Sequence, residues 1–152
     1  MTLNIAGILD GVVSHAMALG RFEQVNGHEP VKNAPSLGLT AAVWVDAVQP
    51  VRASGLDSTT VRLAVNVRIY TSAQSEPADA IDPDMMAAVD ELCAAYVGDY
   101  TLDGLVRNVD VLGAHGVPLF VRAGYLQQGG ATFRVMTITL PLIVNDLWEQ
   151  VA

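Results

Sequence analysis

"TTVRLAVNVRIYT", Thr59 to Thr71, decides the fold. Val61, Leu63, Val65, Val67 and Ile69 occupy every second position, and Arg62, Asn66, Arg68 and Tyr70 fall between them. That period places the aliphatic residues on one face of a β-strand and the polar ones on the other. A strand that is greasy on one side needs a layer to cover it.

Two amphipathic helices can supply that layer. Over residues 3–20, Ile5, Ile8, Leu9, Val12, Ala16 and Leu19 recur at three- and four-residue spacing and share one helix face, with Gly20 as the stop. The second helix begins after "TSAQSEPADA", with Asp82 as its N-cap, Pro83 as the first helical residue and Asp84 in the first turn. Its apolar stripe is Met86, Val89, Leu92, Cys93 and Tyr96, and Gly98 ends it.

The other segments read as strands. Phe22–Val25 is a short one, and "TAAVWVDAV" at 40–48 pairs with 59–71 as an antiparallel hairpin with a long tip. Strands follow at about 105–112, 117–126 and 131–140, and "QQGG", Gln127 to Gly130, turns the last two into a hairpin. The order helix, strands, helix, strands predicts an α+β fold: two helices against a largely antiparallel sheet of five or six strands, in one domain over 1–152. Gly27–Leu39 is a long loop without periodicity, of the kind that carries function, and 145–152 is a short C-terminal extension.

"FRVMTITLPLIVND", Phe133 to Asp146, is apolar on both parities and interrupted by Pro141. Met136, Ile138, Leu140, Leu142 and Val144 are assigned to the core beneath the helices. Val135, Thr137, Thr139, Pro141 and Ile143 form the opposite face. Proline cannot donate to a ladder, so "PLIVNDLW" is expected to leave the sheet and bury apolar surface on a neighbouring subunit.

Composition narrows the function. Hydrophobic residues make up 51% of 152; with glycine counted and tyrosine left out the share is roughly 57%, against the usual 45–50% of a globular domain, which implies a large core or buried subunit contacts. The residues before Arg21 include no Lys or Arg, so the basic start of a signal peptide is missing. No uncharged apolar run reaches the ~18 residues of a spanning helix. The net charge of −8 argues against a sequence-reading nucleic-acid binder. Half of the 16 acidic residues fall between Glu76 and Asp103, where there is no Lys or Arg. Five of the seven arginines, Arg62, Arg68, Arg107, Arg122 and Arg134, lie in or beside predicted strands. Ordinary solvated charge with internal pairs explains this segregation. A sharper reading is a head-to-tail contact between unlike surfaces of neighbouring copies, which closes into a ring when the rotation permits.

Catalytic and cofactor motifs are missing. His15, His28 and His115 have no partner at metal-ligand spacing. Asp82/Asp84 are explained by helix capping, and Asp90/Glu91 by a solvated helix face. No nucleophile elbow, phosphate loop or dinucleotide glycine motif occurs. The single cysteine, Cys93, reads as a core residue. No enzyme activity, cofactor or metal is expected.

Four segments, "GILDGVVSHAMALGRFEQVNGHEP", "GLTAAVWVDAVQPVRASGL", "VRLAVNVRIYTSAQSEPADAIDPDMMAAVDELCAAY" and "GYLQQGGATFRVMTITLPLIVNDLW", resemble the tail terminator proteins of long-tailed, siphovirus-type phages of actinobacteria. The resemblance covers nearly the whole chain in the same order of elements, and rests on overall pattern. It implies a hexameric ring that caps the tail tube, ends its polymerisation and docks to the head-completion connector, with viral DNA passing unread through the lumen. It also implies location at the tail–neck junction of the virion after assembly in the host cytoplasm.

On that reading Arg62, Arg68, Arg134, Pro141, Ile143 and Trp148 are candidates for the subunit interface. Asp82, Asp84, Asp90 and Glu91 are candidates for an acidic interface or lumen lining. His28, Glu29, Lys32 and Asn33 are candidates for a loop contacting the tube or connector. Two alternatives stay open: another neck component, such as a head–tail stopper or minor tail protein, and a small-ligand-binding α+β module.

Overall fold

The computed structural model describes residues 2–29, 38–52 and 58–149. The elements run α1 (Ile5–Ala18), β1 (Gln24–Asn26), β2 (Thr40–Pro50), β3 (Thr59–Ser72), a 3-10 turn (Ala78–Ala80), α2 (Ile81–Gly98), β4 (Asn108–Val109), β5 (Phe120–Gln128) and β6 (Ala131–Leu147). They form an α+β fold with one six-stranded sheet in the order β1-β2-β3-β6-β4, and β5 also pairs with β6. β1 and β2 are parallel; every other pairing is antiparallel.

Both helices lie on one face of the sheet. Ile8, Val12 and Ala16 of α1 and Met85, Ala88, Val89, Leu92 and Tyr96 of α2 join Val61, Leu63, Val65, Val67 and Ile69 of β3 in a single core. Met136, Ile138, Leu140, Leu142 and Val144 of β6 complete it, on the parity the sequence assigned to them. Each large aliphatic side chain so enclosed contributes about 1.5–3 kcal/mol. The Tyr96 hydroxyl donates to the Val12 carbonyl at 3.0 Å, satisfying its polar end inside that core. Asn4 caps α1 through a bond from the Gly7 amide, and Gly20, at φ +68, follows its end.

The final hairpin turns at Gly129 and Gly130, with φ of +59 and +80, between the paired residues Gln128 and Ala131. A two-residue turn that matches strand twist needs positive φ at both positions, which glycine alone adopts freely.

The expectation for "PLIVNDLW" is overturned. β6 does not leave the sheet at Pro141 but runs on to Leu147, paired with β3 through Val144 and Leu147. Pro141 is buried, and Ile143 has no exposed surface. The ladder shows why a proline is tolerated here. The Pro141 carbonyl accepts from the Asp110 amide at 2.9 Å, so its backbone faces away from β3, and the missing N–H takes nothing from the β3 pairing. On that side, β5 ends opposite Thr139 and β4 begins opposite Leu142. Pro141 therefore occupies the junction where β6 changes partner.

Three smaller expectations are also corrected. α2 starts at Ile81 with Ala80 at its N-cap, and Asp82 lies in the first turn and makes no cap. The buried stripe of α2 contains Met85 and Ala88; Met86 is 46% exposed and Cys93 half-buried. The strand predicted at 105–112 shrinks to Asn108–Val109, because 99–107 is a turn with Leu102, Asp103 and Gly104 all at positive φ. That turn is held by the Asp99 carboxylate on the Asp103 amide and by the fully buried Leu102 side chain.

Candidate functional site

The face of the sheet away from the helices carries the most distinctive chemistry. Cross-strand partners share a face, so two rows cross it: Ala42–Arg68–Thr137–Arg122 and Trp44–Asn66–Thr139–Phe120. Arg68 donates to Thr137 Oγ1 at 2.8 Å, and its guanidinium lies 5.1 Å from the Trp44 ring and 6.0 Å from that of Tyr70. Arg122 is exposed and stands 5.9 Å from the Phe120 ring. Such cation–aromatic contacts are worth about 0.5–1 kcal/mol where exposed. Beside this band Ala42, Tyr70, Phe133 and Val135 form a small second cluster.

Arg62 shares the parity of Arg68 but does not reach the surface. It is 6% exposed, with Nε 3.3 Å from Asp110 Oδ2 and Nη2 donating to the Val117 carbonyl. Segment 110–119 folds over it. A Cβ at Gly116 would stand 3.0 Å from the Arg62 guanidinium carbon, so glycine lets the backbone approach. Burial pushes the Asp110 carboxyl up, but the His115 and Ala114 amides and the Arg62 guanidinium outweigh it and hold the carboxyl low. Arg62, Pro141 and Ile143 are thus internal to the subunit, and the interface expected of them is corrected: segment 110–119 and strands β3 and β6 already enclose them.

Arg134 lies on the helix side. Its Nε is 2.9 Å and its Nη2 3.3 Å from the two Asp82 oxygens, and its guanidinium sits 4.6 Å from the Tyr125 ring. The hydrogen bonds from Arg134 hold the Asp82 carboxyl below the usual carboxylate range. Arg21 likewise clasps Glu91 through two bonds of 2.6 and 2.7 Å and lowers it. Two of the four acidic candidates are therefore paired within the chain. Asp84 and Asp90 are exposed and make no hydrogen bond or ion pair among the described residues.

His28 and Glu29 are exposed, whereas Lys32 and Asn33 lie outside the described residues. Trp148 follows the end of β6 and is 47% exposed. One polar contact had no sequence signal: His15 Nε2 meets Asp99 Oδ2 at 2.8 Å across 84 residues. The Asp103 amide, then His15, holds that carboxyl low.

A groove of about 490 Å³ opens between Arg21, Leu39, Thr71, Ser75, Ile81 and Asp84, and the Arg21 fork in it is already turned to Glu91. Among the described residues no three His, Cys, Asp or Glu side chains gather where a metal could bind. No described helix is long and apolar enough to cross a membrane.

The fold thus defines an α+β protein with two helices on one face of its sheet and a basic–aromatic band on the other. No protein-family model and no curated protein matches the chain. Among solved structures, it is similar to a chain in the virion of a native gene transfer agent particle, with 14% identity and a TM-score of 0.45 over 98% of this chain and 100% of that one. It is also similar to the sheath/tube terminator of an extracellular contractile injection system in its extended state. There the identity is 12% and the TM-score 0.42, and the match covers 99% of this chain but only 59% of that one.

Proposed function

We propose that the protein is the tail terminator of a long-tailed phage. Copies of it form a ring, six in number, that caps the tail tube, stops its growth and presents a surface to the head connector. The observation that carries this reading is the resemblance quoted above, which runs in order from Gly7 to Trp148. The distribution of unpaired charge supports it. With Arg62, Arg134, Asp82 and Glu91 engaged inside the subunit, Arg68 and Arg122 remain on the sheet face and Asp84 and Asp90 on α2. An acidic helix facing the lumen would let DNA slide, because it neutralises no phosphate and releases no counterions. His28, Glu29, Lys32 and Asn33 are the proposed contact with the tube or connector. The protein would act in the virion, at the tail–neck junction, after assembly in the host cytoplasm.

Native mass spectrometry and negative-stain imaging of the purified protein test this. Six-fold rings that bind the end of tail-tube assemblies and arrest their growth are expected. Twelve-fold rings would favour a connector instead, and a chain that stays monomeric at all concentrations would remove the terminator reading.

A further inference from the structure

The sheet ends, on one side, in a strand with an open edge. β5 pairs with β6 over nine residues without a register shift, and among the described residues nothing pairs with its other edge. Because the Gly129–Gly130 turn makes Gln128 and Ala131 a hydrogen-bonded pair, Phe120, Arg122, Gly124, Leu126 and Gln128 direct their backbone groups to β6. Val121, Ala123, Tyr125 and Gln127 therefore aim N–H and C=O outward.

Edges of this kind are normally guarded by proline, bulges or charge. The far half of β2 is guarded in this way, with a bulge between Val45 and Ala47, the exposed Asp46, and Pro50. β5 has no proline or bulge and a single charge, Arg122, and it is apolar on both faces: Phe120 and Leu126 on one, Val121 and the 70% exposed Tyr125 on the other.

The pairing registers show what fits there. Gly124, Val135, Tyr70, Thr40 and Gln24 stand in one row across the sheet, and Arg122, Thr137, Arg68, Ala42 and Asn26 in another. β5 and β1 are thus the two ends of the same rows. The four long strands alternate in direction and β1 runs parallel to β2, so β5 is antiparallel to β1. An unshifted copy beside β5 presents its β1 antiparallel to that edge, with its helices on the same side of the sheet.

We propose that β5 takes the β1 edge of a second copy of this chain as an antiparallel neighbour, so that one sheet runs on from subunit to subunit. This rests on the ring reading, since two unlike edges joined head to tail generate a closed ring when the rotation permits.

Amide hydrogen exchange at single-residue resolution tests it, on the unmodified full chain in its assembled and its dissociated, dilute state. The amide of Ala123, which stands opposite Val25 of the three-residue β1 in the unshifted register, is expected to exchange at least ten-fold more slowly in the assembly. Ala123→Pro, which removes an outward donor and no bond to β6, is expected to keep the monomer's unfolding midpoint and lose the ring. Rings whose Ala123 amide exchanges as fast as in the monomer would overturn the edge contact and leave the terminator reading intact. So would rings that persist in Ala123→Pro. Assembly that stops at a symmetric dimer would overturn the β5–β1 pairing, and a chain that never associates would overturn both proposals. The exchange measurement needs no variant, so a misfolded Ala123→Pro does not decide the matter.

Discussion

Arg62 Nε lies 3.3 Å from the Asp110 carboxylate across 48 residues of sequence, and both side chains are about 95% enclosed. A charge pair in that position contributes little net stability over an apolar pair, yet breaking it strands one charge in the interior. Asp110→Ala is therefore expected to destabilise the monomer by about 3–5 kcal/mol in urea denaturation. It should also loosen segment 110–119, seen as faster amide exchange at Ala114 and His115. A loss below about 1 kcal/mol would mean that water reaches Arg62 and solvates it.

Acid should expose the same pair. Asp110 and Asp99 are both held below the ordinary aspartate value of about 3.9. A carboxyl whose folded pKa is depressed contributes stability that is fully present above its unfolded pKa and is lost as pH falls through the folded one. The thermal midpoint should stay level with respect to these groups above about pH 5 and fall as pH drops through about 4 toward 3. Asp110→Asn should start lower and show a shallower fall. An identical slope in wild type and variant would remove Asp110 from the account.

Ile143 separates the two readings of the C-terminal strand. As a fully enclosed core residue it should cost the subunit about 2–5 kcal/mol when cut to alanine, even at concentrations where no assembly forms. Trp148, half-exposed beyond the strand, should cost the monomer only about 0.5 kcal/mol on the same substitution. If Ile143→Ala spared the isolated subunit and only dissociated the assembly, the residue would belong to an interface after all.

The contrast between Thr59–Thr71 and Phe133–Asp146 shows how much the chain reveals by itself. Strict alternation of period two made β3 legible, and its five aliphatic residues are fully buried. The helices were legible from their three- and four-residue spacing, except that α2 buries Met85 and Ala88 where the spacing placed Met86 and Cys93. Local rules misplaced Pro141 because the donor demand at a strand position depends on which side its backbone faces and on where its neighbours stop. That is information from β4 and β5, not from β6. The charges failed for a related reason. Arg62 and Arg68 are indistinguishable by parity, and only the fold of segment 110–119, which brings Asp110 and Gly116 to one of them, separates buried from accessible.

Backbone geometry gives a prediction of opposite signs for two glycines. Gly130 sits at φ +80 with open space around it, so Gly130→Ala meets no clash but forces a left-handed conformation, at about 1–2 kcal/mol. Gly98, the last residue of α2, has equally open surroundings and no positive φ. Gly98→Ala should stabilise by about 0.4–1 kcal/mol through the unfolded chain. Paired thermal melts would read both, and a destabilising Gly98→Ala would mean that helix α2 needs flexibility at that end.

The central pairing of β3 with β6 has a consequence for synthesis. Arg68 meets Thr137, 69 residues later, so the middle of the sheet cannot close until β6 has been made. At roughly 5–20 residues per second, β3 leaves the ribosome about 3–14 s before its partner. During that interval its Val–Leu–Val–Val–Ile row has only β2 and the helices for cover. Holdase chaperones would find their binding site in this row, and a ribosome stalled after β5 would release a chain prone to clump.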